Sequence, residues 1–117
     1  MKELVFFNKK VAPVLDRATR EISKCKQKIA KYTESRDSDN DRIENEKLAI
    51  GEIQRGACAE IRRWAGGARH MARLFATENA SDGVTYVCDE HTTARLQAIK
   101  DAEEAAYKAI DALAGTQ

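Results

Sequence analysis

Apolar residues in the first third of the chain recur with alternating spacings of three and four: Leu15, Ala18, Ile22, Cys25, Ile29 and Tyr32. This heptad spacing places all six on one stripe of a helix, which is typical of a helix that packs along another helix. Asn8 is a suitable N-cap, and Pro13 fits best within a first helical turn. We therefore expect helix one to begin between Asn8 and Ala12 and to span about residues 10–35.

A second apolar stripe follows a polar turn. The run Arg36–Asp41 favours a turn, and Ser38 or Asp39 would cap the next helix. Beyond it, apolar residues recur every seven positions and others reinforce them: Ile43, Ile50, Ala57, Trp64 and Met71, with Ile53, Ile61, Ala68, Leu74 and Phe75. The pattern predicts helix two over about residues 39–77.

Four of the six glycines fall within this second helix. Glycine destabilises a helix interior by up to about 1 kcal/mol relative to Ala, so each position needs a reason. We expect Gly51 and Gly56 to allow close approach of another helix. For Gly66 and Gly67, close approach and a kink or break remain equal alternatives.

A third helix follows a longer connection over residues 78–90. The turn residues Asn79–Gly83 precede Val84–Val87, which we expect to form an extended loop over the end of the bundle. Thr92 or Thr93 would cap helix three, which we place at about residues 92–114. Its apolar stripe carries one charged exception, Glu103, and otherwise consists of Leu96, Ile99, Ala106, Ile110 and Leu113.

Charge alternates along the chain although the net charge is only +1. Residues 1–32 hold nine Lys or Arg against three acids, and residues 33–54 hold three against seven. Residues 55–76 hold five against one, and residues 77–117 hold three against eight. Because antiparallel folding places opposite blocks side by side, the sequence predicts one all-α domain over residues 1–117, an antiparallel three-helix bundle.

Helix lengths predict an uncovered apolar surface. At 1.5 Å per residue, helix two would be roughly 58 Å long and helix three only about 36 Å. About residues 20–35 and 39–54 would then form a two-helix section with a half-exposed seam. We expect this seam to mediate a homodimer or to bind a protein partner, through Ile22, Ile29, Tyr32, Ile43 and Ile50.

We expect neither a targeting signal nor a membrane span in this sequence. The start lacks the long apolar run and cleavage site of a secretory signal, and no stretch approaches the roughly 20 apolar residues of a membrane span. The three cysteines form no tight pairing motif. We therefore expect a cytoplasmic protein with reduced thiols and no membrane contact. From its small size and the lack of targeting segments, we expect a protein of a bacterium or its phage.

Candidate chemistry is sparse. His70, Cys88 and His91, with Asp89 and Glu90 nearby, have spacing that a soft metal could use, but a zinc site needs a further ligand pair. No nucleophile, base and acid form a catalytic frame. We expect no metal, no cofactor and no enzymatic activity, and interpret the chain as a helical interaction protein: a regulator, an inhibitor or an assembly adaptor.

Two rows of basic residues offer a second interpretation. Lys10, Arg17, Lys24 and Lys31 share one face of helix one. Arg55, Arg62 and Arg69, with Arg73 beyond them, form a row on helix two that would bind an acidic protein partner. Such rows also suit the phosphates of a nucleic acid. In the sequence no aromatic residues interleave with either row for base stacking.

Two short motifs carry a family resemblance. Trp64-Ala65-Gly66 is a W-x-G, and the segment from Tyr107 to Asp111 is a Y-x-x-x-D. Their order and separation resemble those of the W-x-G family, small helical-hairpin substrates of type VII secretion. The resemblance implies that W-x-G marks a hairpin turn and that Y-x-x-x-D is part of an export signal. This chain departs from the family pattern because Trp64 falls on a predicted helical stripe.

Overall fold

A computed structural model describes residues 1–35, 39–78 and 90–115, without the side chains of residues 76–78 and 90–91. These residues form three helices: α1 (Lys2–Glu34), α2 (Asn40–Glu78) and α3 (Glu90–Leu113). Each helix packs against the other two in an elongated bundle measuring 72 × 19 × 17 Å. No strand occurs among the described residues. The predicted all-α three-helix bundle is confirmed.

The first helix begins earlier than the sequence pattern indicated. Lys2 opens α1, and Pro13 lies well inside it, so the predicted start between Asn8 and Ala12 is wrong. The cause is a buried stripe that continues toward the N-terminus at helical spacing through Glu3, Phe7, Val11 and Val14. Burial of this stripe outweighs the roughly 3 kcal/mol that a proline costs in a helix interior.

Most of the core is one cluster of buried residues to which all three helices contribute: Phe7, Val11, Val14, Ala18, Ala57, Ile61, Ala65, Ala68, Ala72, Ile99, Ala106 and Ile110. Val14 takes the buried position that the heptad assigned to Leu15, which is half-buried. Leu74, predicted in the stripe of helix two, is 48% exposed. Trp64 packs against the core without being enclosed by it.

The helix ends match the predicted caps in one place. The Asp39 side chain accepts a hydrogen bond from the Arg42 backbone N–H at 3.3 Å, so Asp39 caps α2 as predicted. The predicted capping residues of α3 are wrong, because that helix already begins at Glu90, and Thr92 is buried within its first turn. The predicted loop at Val84–Val87 lies outside the described residues.

Opposite charges meet across the helices as their alternation predicted. Lys28 of α1 lies 3.8 Å from Glu46 of α2. Arg69 of α2 lies 2.9 Å from Glu103 of α3. In both cases a basic stretch faces an acidic one, which fixes the antiparallel pairing.

The apolar section expected to be uncovered is shorter than predicted. Leu113, at the end of α3, packs against a second core cluster formed by Ile22, Cys25 and Ile50. Within this cluster Ile22 and Ile50 are only 1% and 8% exposed. Of the five residues predicted to mediate self-association, these two are enclosed by the chain itself, and three are half-buried in the two-helix section: Ile29, Tyr32 and Ile43.

Of the four glycines in α2, only Gly67 lies where another helix comes close. The helix is unbroken through Gly66 and Gly67, so the predicted alternative of a break is wrong. A Cβ on Gly67 would lie 3.4 Å from the Phe6 ring, which is a close approach of α1. At Gly51 a Cβ would meet only Arg55 of the same helix, and at Gly56 nothing within 4 Å. Close approach at Gly51 and Gly56 is therefore wrong.

We expect Gly56→Ala and Gly66→Ala each to stabilise the protein. Neither Cβ would meet an atom within 4 Å, so each substitution gains about 0.5–1 kcal/mol of helix propensity without a clash. Urea denaturation measures the change in the free energy of unfolding. Ala59→Gly, on the exposed back of α2, is the reverse control and should lose a similar amount of stability. A loss of stability in either alanine variant would mean that the added Cβ clashes with a neighbouring atom, which would contradict the open space at these two positions.

Candidate functional site

The three helix pairs create three lateral surfaces of different chemistry. The α2–α3 surface is held by polar contacts. Glu103 accepts a hydrogen bond from Arg69 at 2.9 Å and another from the Tyr107 hydroxyl. The side-chain amide of Gln54 donates to the Ile110 carbonyl at 3.0 Å. The charged exception in the apolar stripe of α3 is thus paired within the bundle.

These contacts change the chemistry of Tyr107. Burial, together with the hydrogen bond to the Glu103 carboxylate, raises the pKa of Tyr107 from 10 to about 12. The folded state therefore holds the phenol proton more tightly than the unfolded state. The stability that this provides is complete below pH 10 and declines as the pH rises from about 10 to about 12.

We expect a spectrophotometric titration to resolve this phenol. In a Tyr32→Phe, Tyr86→Phe background, Tyr107 should ionise near pH 12, and Glu103→Gln should lower its pKa. Far-UV circular dichroism identifies the pH range in which the helices persist. Ionisation near pH 10 in the folded protein would contradict the contact with Glu103.

The four arginines predicted to bind a partner lie along this same surface. Arg69 is engaged by Glu103, and Arg62 interacts with the Tyr107 side chain. Arg55 and Arg73 are exposed. The row therefore follows the acidic flank of α3, and part of its charge is already compensated within the chain.

The α1–α2 surface carries an aromatic residue among basic ones. Lys10 Nζ lies 5.2 Å from the centre of the Trp64 ring, and the Arg63 guanidinium carbon lies 5.6 Å from it. The Phe6 ring meets Trp64 edge-on, with centroids 5.9 Å apart. Arg17 adds an ion pair with Glu60 at 2.5 Å. No local sequence pattern predicts the contact of Trp64 with Lys10, because the two residues lie on different helices.

The α1–α3 surface is a shallow apolar groove of about 400 Å³. Phe7 and Val11 of α1 line its floor, with Ala12 and Leu15 at one edge. The α3 side is almost entirely alanine. Six alanines spaced by three or four residues follow this side of the helix: Ala94, Ala98, Ala102, Ala105, Ala109 and Ala112. Two of them are half-buried and four are exposed.

The alanines of α3 recur at helical spacing in the sequence. The prediction for this helix rested on its large apolar residues, so it did not include the alanine stripe. Asn8 is the one polar residue among those that line the groove, and none of the lining side chains is charged. A groove of this kind does not suit an ionic ligand. It suits the apolar face of a helix, since small side chains let two helix axes come close together.

No known protein family, curated protein or solved structure matches this chain. The fold also overturns an implication of the W-x-G resemblance. Trp64 and Gly66 lie inside α2 and not at a hairpin turn, and the Tyr107–Asp111 motif lies inside α3.

The remaining candidate residues are dispersed or outside the described part of the chain. His70 is exposed on α2. Cys88 and Asp89, together with the side chains of Glu90 and His91, lie outside the described residues. Within residues 1–35, 39–78 and 90–115, no three His, Cys, Asp or Glu side chains are grouped as a metal ion requires. None of the three described helices is long and apolar enough to cross a membrane.

Two cysteines behave as packing residues. Cys25 is buried and Cys58 is half-buried, and both are free thiols. Burial raises the pKa of both thiols, and nearby carboxylates raise it further. Because the thiolate is the reactive form, neither cysteine has the environment of a nucleophile.

Proposed function

We propose that this protein is a non-enzymatic helical interaction protein that holds a partner helix in the groove between α1 and α3. The observation that supports the proposal is an apolar, uncharged groove that the described chain leaves open along its own length. A regulator, an inhibitor or an assembly adaptor would use such a groove in the same way.

The shape and chemistry of the groove favour a helix over an extended peptide. An extended peptide needs an unpaired sheet edge for its backbone hydrogen bonds, and no strand occurs among the described residues. A helix satisfies its own backbone and needs only an apolar face. The alanines of α3 provide the small-residue wall against which such a face packs.

Site-specific photocrosslinking in cells of the source organism tests this function. A photoreactive residue at Ala109, exposed at the groove, should form a covalent adduct with another protein chain. The matched control places the same residue at Ala59, which is exposed on the back of α2. Absence of an adduct at Ala109, or equal adducts at both positions, would contradict binding in the groove.

A second candidate function is nucleic-acid binding at the α1–α2 surface. It is supported by the position of Trp64 between Lys10 and Arg63, because an aromatic ring among cations is the combination that binds single strands. Trp64 is the only tryptophan, so its fluorescence reports directly on this surface.

Titration with a random single-stranded oligonucleotide tests this candidate. Quenching of Trp64 that weakens steeply between about 50 and 200 mM salt, and is lost in Lys10→Ala, Arg63→Ala, would support it. Arg55→Ala, on a different surface, serves as the control. Unchanged fluorescence and unchanged anisotropy of the labelled oligonucleotide at the lower salt concentration would eliminate it.

A further inference from the structure

Charges beside the α1–α3 groove indicate which helix pair occupies it. Lys9 and Asp16 are exposed on α1, and Asp101 and Lys108 are exposed on α3. Each pair is separated by seven residues, so its two members lie on the same helix face. At about 100° per residue, each pair lies roughly 40–60° beyond the groove alanine between its members, on the side away from the core.

Each charge pair is arranged symmetrically about a groove alanine. Ala12 lies near the midpoint of Lys9 and Asp16, and Ala105 lies near the midpoint of Asp101 and Lys108. A two-fold axis across the groove, near these alanines, would turn a second copy antiparallel to the first. Lys9 and Lys108 of one copy would then face Asp16 and Asp101 of the other, so these two charge pairs are complementary to themselves across the axis.

From this arrangement we propose that the groove is occupied by a second copy of this chain, so that α1 and α3 of two antiparallel protomers form a four-helix interface. The inference rests on the proposed function and names its partner. Lys9 pairs with Asp16 of the other copy, and Asp101 pairs with Lys108, each contact occurring twice.

The available surface is large enough for a stable dimer. The 24 residues of α3 extend about 36 Å, and two adjacent helices present a face roughly 20 Å wide. Multiplying this length by this width gives a contact area of about 700 Å² for each protomer. This area approaches the roughly 800 Å² that each partner contributes to a standard specific interface. An apolar centre with a charged rim is also the usual composition of such an interface.

Sedimentation equilibrium of the full chain tests the inference. We expect the wild type to have twice the protomer mass of 13.1 kDa. Ala105→Glu should be monomeric because it places an unpaired charge at the centre of the interface. Ala59→Glu, with the same substitution on an exposed residue of α2, should remain dimeric. Since both alanines are exposed, both variants should keep the helical content of the wild type.

Charge reversal tests the antiparallel register. Asp101→Lys and Lys108→Asp should each raise the dimer dissociation constant roughly tenfold, because two ion pairs become two like-charge contacts. The double variant exchanges the charges and should restore the wild-type constant. Asp101 also accepts a hydrogen bond from Gln97 of its own helix, so Gln97→Ala controls for loss of that contact.

Failure of the inference is separable from failure of the proposed function. A wild-type monomer, a dimer that Ala105→Glu leaves intact, or a double variant that remains weakened would overturn the antiparallel dimer. A photoadduct at Ala109 to a different protein would then retain the helix-binding groove. Absence of any adduct would overturn both.

Discussion

Phe7→Ala should lower the free energy of unfolding by about 3–5 kcal/mol, the usual effect of removing a fully buried aromatic side chain. Phe7 is 1% exposed, belongs to the main core and lines the floor of the α1–α3 groove. A natural domain has only about 5–15 kcal/mol in total, so this substitution would remove a large part of its stability. Urea denaturation followed by circular dichroism measures the loss.

The adjacent residue provides a matched control for this prediction. Phe6 is half-buried and packs edge-on against Trp64, so Phe6→Ala should cost clearly less than Phe7→Ala. The two residues are of the same type and adjacent, and they differ in burial because they occupy different sides of α1. If Phe6→Ala were the more damaging substitution, the first turns of α1 would not have the rotation described above.

Arg95→Met should destabilise the protein by about 3 kcal/mol or more, because it leaves a buried carboxylate without its counter-charge. The side chain of Glu3 is 0% exposed and lies 3.5 Å from Arg95, which is 23% exposed. Among the described residues, neither carboxylate oxygen of Glu3 accepts a hydrogen bond. The ion pair is therefore the main compensation for burying this charge.

Replacing the other partner of the ion pair should have a much smaller effect on stability. Glu3→Met removes the buried charge and leaves a partly exposed arginine that water can solvate, so stability should change by no more than about 1 kcal/mol. The double variant should recover most of the loss caused by Arg95→Met. The exposed pair of Arg17 and Glu60 provides the control, since Arg17→Met should cost less than about 1 kcal/mol. Equal losses in Arg95→Met and Arg17→Met would contradict a buried ion pair.

The sequence was sufficient to predict the three helices because their apolar stripes are long and periodic. It failed at the first boundary, where Asn8 and Pro13 are local start signals. The buried stripe that extends the helix contains Glu3, a residue type that is almost never buried unless paired. Its partner is Arg95, on a different helix, so no local pattern could reveal the burial.

The candidate surfaces were harder to predict than the helices. Three helices can pack with either handedness, and the handedness decides which residues of α1 face α2 and which face α3. The handedness of this fold places Lys10 beside Trp64 and Leu15 beside the alanines of α3. Charge alternation, by contrast, depends only on antiparallel order, and for that reason its two predicted juxtapositions were confirmed.

Small-angle X-ray scattering tests the central claim, a helix pair docked along the α1–α3 groove, most directly. One protomer is 72 Å long with a Cα radius of gyration of 19.6 Å. The groove centre near Ala12 lies six residues, or about 9 Å, from the middle of α1. An antiparallel pair centred there shifts the two 72 Å protomers by about 9 Å each in opposite directions, so the dimer should extend to only about 90 Å. A doubled mass with this maximum dimension is the predicted result. A particle of about 120 Å or more, joined through the two-helix ends at Ile29 and Ile43, or a single 72 Å rod, would contradict it.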